Sequence, residues 1–267
     1  MTPWRPSPLL WASLALHALA LPACWLWPAR WPWVLGAVVA NHLLLMALSL
    51  WPRSTALGPN MRRLPDEAAA RGEVAITIDD GPHPEVTPQV LTLLARHQAH
   101  ATFFCIGTQV ERHPQLCQAM VQAGHDVQNH GQRHPLLASL MGPAGWRQEI
   151  TGGAAAILRA TGHPPRYYRA VAGLRNPFLD FVLTQLGLRL VSWTRRGFDT
   201  RTPDPDLVLA RLLRHLRAGD ILLLHDGHAA RSPSGQPVIV EVLPRLLDAL
   251  RAQGLRPVTL TQACKPA

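Results

Sequence analysis

Residues 6–29 contain no Asp, Glu, Lys or Arg, and after Arg30 a second uncharged run extends from 31 to 52. A bilayer-spanning helix needs about 20 mainly apolar residues, so each run is long enough to cross a membrane. Tryptophans sit near the run ends (Trp4, Trp25, Trp27, Trp31, Trp33, Trp51), where amphipathic rings suit the headgroup region. A signal peptide would account for only one run and would end in a small-residue cleavage site; this one continues through Trp25-Leu26-Trp27-Pro28 into more apolar sequence. The sequence therefore predicts a transmembrane helical hairpin over 1–52, with helices near 8–27 and 32–51, then a linker over 53–72 rich in Pro, Arg and small residues. Arg5 precedes the hairpin and Arg53, Arg62 and Arg63 follow it, whereas the connection holds only Arg30. That asymmetry predicts a two-span protein of the inner membrane with both ends, and the domain that follows, in the cytoplasm rather than the periplasm. His17, Asn41 and His42 within the spans read as interhelical hydrogen-bonding groups.

The net charge of +9 is almost wholly arginine, since Lys265 is the only lysine. These arginines are scattered among apolar residues without an aromatic-and-basic RNA motif or zinc-finger spacing, which argues against nucleic acid and for an anionic membrane surface as partner. The four cysteines (Cys24, Cys105, Cys117, Cys264) lack the dense spacing of a disulfide framework, and Cys105 and Cys117 read as small buried hydrophobes.

From residue 73 to 262 the pattern changes to that of one large α/β domain. Short apolar runs at 74–78, 101–106, 167–169, 188–193, 221–225 and 256–260 read as strands. Helical stretches follow Thr87-Pro88 and lie at 114–123, 146–161, 177–186, 205–217 and 238–252. Alternating strands and helices imply parallel, right-handed βα units, in a barrel or a doubly wound sheet. Asp79, His130, Arg169 and His225 fall at or just beyond predicted strand ends, where a barrel gathers its active site.

Two adjacent carboxylates, Asp79-Asp80-Gly81-Pro82, are joined 50 residues later by Asn129-His130-Gly131-Gln132-Arg133-His134-Pro135. One carboxylate and two imidazoles suit a catalytic zinc-like ion with an open position for water, and the second carboxylate is left over as a base. Strand neighbours point to opposite faces, so both aspartates can share a site only where the strand is ending, as Gly81-Pro82 suggests. The histidines, four apart, need a helical turn or tight loop to converge.

These segments resemble the polysaccharide deacetylases of carbohydrate esterase family 4, which share the NodB homology domain. Thr77–Pro82 is similar to the family's Thr-x-Asp-Asp-Gly-Pro motif and His130-x-x-x-His134 to its second. The resemblance implies a distorted (β/α) barrel, a divalent metal (zinc, with cobalt, nickel or manganese as alternatives) on Asp80, His130 and His134, and Asp79 as catalytic base. Arg166-Tyr-Tyr-Arg169-Ala-Val-Ala-Gly173 resembles the third motif, in which Arg169 would orient the base and the Ala172 N–H would hold an oxyanion; Val171 replaces the usual proline. In the fourth-motif region, Trp193 would wall the groove and Asp199 would support a histidine, while Thr200 replaces a tryptophan and Arg196 an acidic residue. Ile221–Gly227 resembles the fifth, with His225 as acid and Leu223 lining an acetyl pocket. His83, His113, His125, His163, His215 and His228 carry no motif and read as loop or surface residues. The implied activity is metal-dependent removal of an N-acyl, chiefly N-acetyl, group from an amino sugar in a glycan or lipid-linked glycan. A degenerate glycan-binding or scaffold subunit would need neither Asp79 nor His225.

Overall fold

The computed structural model describes residues 3–265. Helix α1 (Pro8–Leu26) and helix α2 (Trp31–Ser49) fold back on each other around a 3-10 turn at Pro28–Arg30. Both are long and apolar enough to cross a membrane, and the protein buries 11% of the first span and none of the second. A soluble core helix would be mostly buried. Between the helices Asn41 donates to Ser13 Oγ (2.9 Å), and the Nε2 atoms of His17 and His42 lie 3.3 Å apart.

Residues 53–72 do not form the expected linker; they pack onto the domain. Ser54, Leu57, Leu64 and Ala68 are buried, and a short helix α3 forms at Asp66–Ala70. Buried Arg175 donates to the Ser54 carbonyl, and its own N–H reaches Ser49 O at 3.2 Å.

The βα units then follow: β1 (Glu73–Asp79), α4 (Val86–Arg96), β2 (Thr102–Cys105), α5 (Gly107–Arg112), α6 (Pro114–Gln122), β3 (Asp126–Asn129) and α7 (Pro143–Thr161). Next come β4 (Tyr167–Tyr168), α8 (Pro177–Leu186), β5 (Arg189–Leu190), β6 (Arg195–Arg196), α9 (Pro205–Leu213) and β7 (Ile221–His225). The chain closes with α10 (Val238–Ala252), β8 (Arg256–Pro257) and α11 (Leu260–Ala263). All strand pairs are parallel, in the order β5-β4-β3-β2-β1-β7-β6, with β8 beside the start of β1. The edge strands β5 and β6 do not pair with each other, so the sheet is a curled half-barrel, the distorted form of the expected barrel. The hairpin's exit segment fills the gap, Met61 bridging Val191 and Arg63 bridging Asp220.

Two strands escape sequence reading. β3 is Asp-Val-Gln-Asn, and its polar side chains are used internally: Gln128 Oε1 accepts the N–H groups of Arg166 and Tyr167, and Asn129 accepts from Gly131 and donates to Ile150 O. β6 is two arginines. The apolar run at 188–193 yields only a two-residue strand because Val191 and Ser192 turn to Met61 instead.

Parity along the strands places the site. Val74, Ile76 and Ile78 of β1, with Leu222 and Leu224 of β7, pack into the cluster beneath α4, α9 and α10. Ala75 of β1, with Ile221 and Leu223 of β7, joins Phe104, Tyr167 and Trp193 inside the curl. Period-two alternation then puts Thr77 and Asp79, and His225, on that inner face. Asp79 and His225 are register partners on adjacent strands.

Candidate active site

β1 ends at Asp79, and Asp80 adopts the left-handed region at φ 77°. That conformation costs a non-glycine residue about 1 kcal/mol, least for Asp and Asn, and it allows the second carboxylate to reach the same end of the barrel as the first. Asp79 Oδ1 receives Nη1 of Arg169 at 2.7 Å, and Oδ2 lies 3.8 Å from His130 Nε2. Arg169 is wholly buried over the Phe104 ring (4.1 Å) and also donates to Thr77 Oγ1 (2.7 Å) and Ser192 O (3.1 Å). A guanidinium so fully engaged has one orientation, and that orientation fixes Asp79.

His130 leaves the end of β3 with Nδ1 2.8 Å from Arg169 O. With Nδ1 committed to that carbonyl, Nε2 is the nitrogen turned toward Asp80, 3.3 Å from its Oδ1. His134 Nε2 is 3.2 Å from the same oxygen. The loop between them is not a helical turn; it bends through Gly131 (φ 86°) and His134 (φ 57°). Buried Glu149 of α7 ties it down, with Oε2 accepting the N–H groups of Gln132 (3.1 Å) and Arg133 (2.8 Å) and Oε1 receiving Arg133 Nε (2.9 Å). The donor atoms of Asp80, His130 and His134 all lie within 4.8 Å of one another. A convergent carboxylate and two imidazoles, one with its tautomer set from behind, fit a divalent cation of the zinc type. Burial alone would raise the Asp80 pKa; hydrogen bonds from His130, His134 and His228 hold it far below the usual carboxylate range.

Opposite, His225 closes β7, its Nδ1 2.9 Å from Asp199 Oδ1 while its N–H donates to Asp199 Oδ2 at 2.7 Å. Burial lowers the His225 pKa, but Asp199, with Asp79 and Asp80 beyond, outweighs it and pushes the imidazole up to about 9.

Around these groups lies a cavity of about 210 Å³. Of the residues singled out from sequence, Asp79, Asp80, His130, His134, Ala172, Trp193, Leu223 and His225 line it. Arg169 and Asp199 sit behind Asp79 and His225. Val171 and Thr200, where the motifs depart from the family, line it as well. Ala172 sits at φ 51°, the left-handed turn of a loop that begins at Val171.

One histidine differs from the sequence reading, and another, at the surface as expected, makes a contact that reading did not give. His228 Nδ1 is 2.9 Å from Asp80 Oδ2 and its ring stacks on His134, although most of its side chain is exposed. Its position three residues past the strand end that delivers His225 was the available signal. His125 is no surface residue: it is buried near His100, and burial with that neighbour lowers its pKa to about 4. Glu149 had no signal, since its partners are backbone groups.

The sequence model of the polysaccharide deacetylase family matches residues 66–191. The chitooligosaccharide deacetylase of a Bradyrhizobium species is 34% identical over 73% of this chain and 91% of its own length. The peptidoglycan-N-acetylglucosamine deacetylase of Bacillus cereus is 34% identical over 71% of this chain and 86% of its own. Among solved structures, the Bc1960 peptidoglycan N-acetylglucosamine deacetylase superposes with a TM-score of 0.68 at 27% identity, covering 76% of this chain and 92% of that one. The chain belongs to the polysaccharide deacetylase family, carbohydrate esterase family 4 with its NodB homology domain. It is, with that family, a carbohydrate deacetylase, a hydrolase of carbon–nitrogen bonds other than peptide bonds.

Proposed function

We propose that this protein is a membrane-held, metal-dependent N-deacetylase of an amino sugar in a glycan or lipid-linked glycan. The observation that carries the reading is the opposition, across one cavity, of Asp79 fixed by Arg169 and His225 fixed by Asp199. Asp80, His130 and His134 would hold the cation, zinc by donor chemistry. Bound there, it would supply Lewis-acid activation of water and of the amide carbonyl.

The side chains divide the remaining work. Asp79 has Oδ2 clear of Arg169 and takes the proton of the attacking water. The tetrahedral oxyanion accepts a hydrogen bond from the Ala172 N–H, a backbone donor that the Val171 substitution leaves in place. As the C–N bond breaks, imidazolium His225 gives its proton to the leaving amine, and the products are the free amino sugar and acetate. Leu223 and Trp193 bound the space for the acetyl group and the sugar. A scaffold subunit would have no use for two opposed, separately oriented proton-transfer groups.

The hairpin would hold the domain on the inner membrane, and the arginine asymmetry favours the cytoplasmic side. The test is to incubate the full chain in detergent with N-acetylated oligosaccharides and lipid-linked amino sugars, before and after chelation and zinc repletion. Acetate and free amine in equal amounts, lost on chelation and restored by zinc, are expected; no release from any substrate would sink the reading.

A further inference from the structure

A cavity of about 570 Å³ opens beside the catalytic one, lined by Trp51 at the end of the hairpin and by Arg53, Arg62, Arg63, Arg195 and Arg217. Asp220 is the one carboxylate that pairs there among the described residues; it is fully buried and held by Arg63 (2.6 Å) and Arg195 (3.2 Å). Arg53, Arg62 and Arg217 are exposed and form no ion pair among the described residues. Three uncompensated guanidiniums around one concavity repel each other, and an oxyanion with several acceptors relieves that repulsion best.

Trp193 connects this groove to the catalytic cavity, lining both. Arg196, on the catalytic side, stacks on Trp193 (5.4 Å), and its Nε is buried without a hydrogen-bond partner. Leaving a buried donor of a charged group unsatisfied is costly, so a ligand acceptor passing Trp193 would gain by meeting it. The other end of the groove meets Trp51, two residues past α2, where the chain would leave a bilayer. Across the catalytic mouth, Leu136, which lines it, and Leu137 and Leu140 are 80%, 70% and 77% exposed.

We infer that the arginine groove is a phosphate-binding subsite, and that the substrate is an amino sugar bearing a phosphate or diphosphate ester, with the sugar in the catalytic cavity and the phosphate among the arginines. The inference rests on the deacetylase reading and specifies its substrate class. Trp51 and the leucine rim favour a phosphate carried by a membrane lipid over one carried by a soluble nucleotide.

The experiment compares the full chain in uncharged detergent with its Arg62→Gln/Arg217→Gln variant, both sites being exposed. Acetate release is measured on N-acetylglucosamine joined to a short prenyl diphosphate, on the nucleoside diphosphate sugar, and on neutral chitooligosaccharide. The ratio of kcat/KM for prenyl diphosphate over neutral substrate should fall at least tenfold in the variant, and KM for the phosphorylated substrate should rise with ionic strength. A larger effect on the nucleotide sugar would assign the phosphate to a soluble donor. Equal change for charged and neutral substrates, or none, would overturn the subsite and leave the deacetylase intact. Should no substrate release acetate, calorimetry with inorganic pyrophosphate on the chelator-treated protein decides alone: binding to the native chain that the variant loses upholds the groove, and absence of binding overturns it.

Discussion

At the residue scale, each of the two proposed proton-transfer groups, Asp79 and His225, is held by a charged partner behind it. Asp79→Asn removes the proposed base and leaves Asp80, His130 and His134 in place. Turnover should fall by roughly 10²–10⁴ while zinc stoichiometry by elemental analysis stays at the native value; full activity would remove Asp79 from its role. His225 yields a prediction with a sign. As the proposed acid it must be protonated, so its pKa of about 9 would set an alkaline limb: kcat/KM should hold below that pH and decline above it. Asp199→Asn removes the largest opposing charge and leaves the burial that lowers the pKa, so the limb should move toward lower pH. A pH–kcat/KM profile with an unmoved alkaline limb would show that His225 is not the titrating acid. The residues that sequence missed are those without a chemical signature. His228 is one imidazole among many until the turn at Asp80 brings a carboxylate oxygen to it.

At the element scale, α7 acts as a brace for the loop carrying both histidines. Glu149 bonds two loop N–H groups, so Glu149→Ala would leave these partly buried donors to water, at a cost below the roughly 1–3 kcal/mol of a fully buried donor for each. The loop is the outer support of the two proposed histidine ligands, and losses of 10–100-fold in cation affinity are typical at such positions. Thermal melting and zinc titration should therefore both report the change, with Glu149→Gln milder than Ala because it keeps an acceptor. A lowered melting temperature with unchanged zinc affinity would confine Glu149 to stability. The elements were unequally legible. β1 and β7 are buried on both faces and read as continuous apolar runs that end at Asp79 and His225; β3 and β6 owe their pairing to neighbours and to side-chain hydrogen bonds, which leave no hydrophobic period. The motifs of Asp79, Arg169 and His225 stand at the ends of legible strands, whereas that of His130 and His134 follows β3 and is legible by its residue types and spacing alone.

At the scale of the whole molecule, the proposed sidedness rests on Arg5, Arg53, Arg62 and Arg63 flanking the hairpin against Arg30 within it. A C-terminal green fluorescent protein fusion should fluoresce and the matching alkaline phosphatase fusion should be inactive. The opposite pair of results would place the domain in the periplasm, facing cell-envelope polymer, and would leave the side-chain chemistry untouched.

The segment leaving the hairpin is part of the barrel wall: Met61 bridges Val191 just past β5, Arg63 bridges Asp220 just before β7, and Arg175 grips the backbone at Ser49 and Ser54. A domain mounted this way cannot swing on a leash to sample solution. If the hairpin lies in a bilayer, the catalytic mouth stays at one height and one tilt, and encounters become a two-dimensional search. Its saturation would then be governed by the mole fraction of substrate among the lipids rather than by the amount per volume of cell, so diluting the bilayer with inert lipid would slow it at constant total substrate.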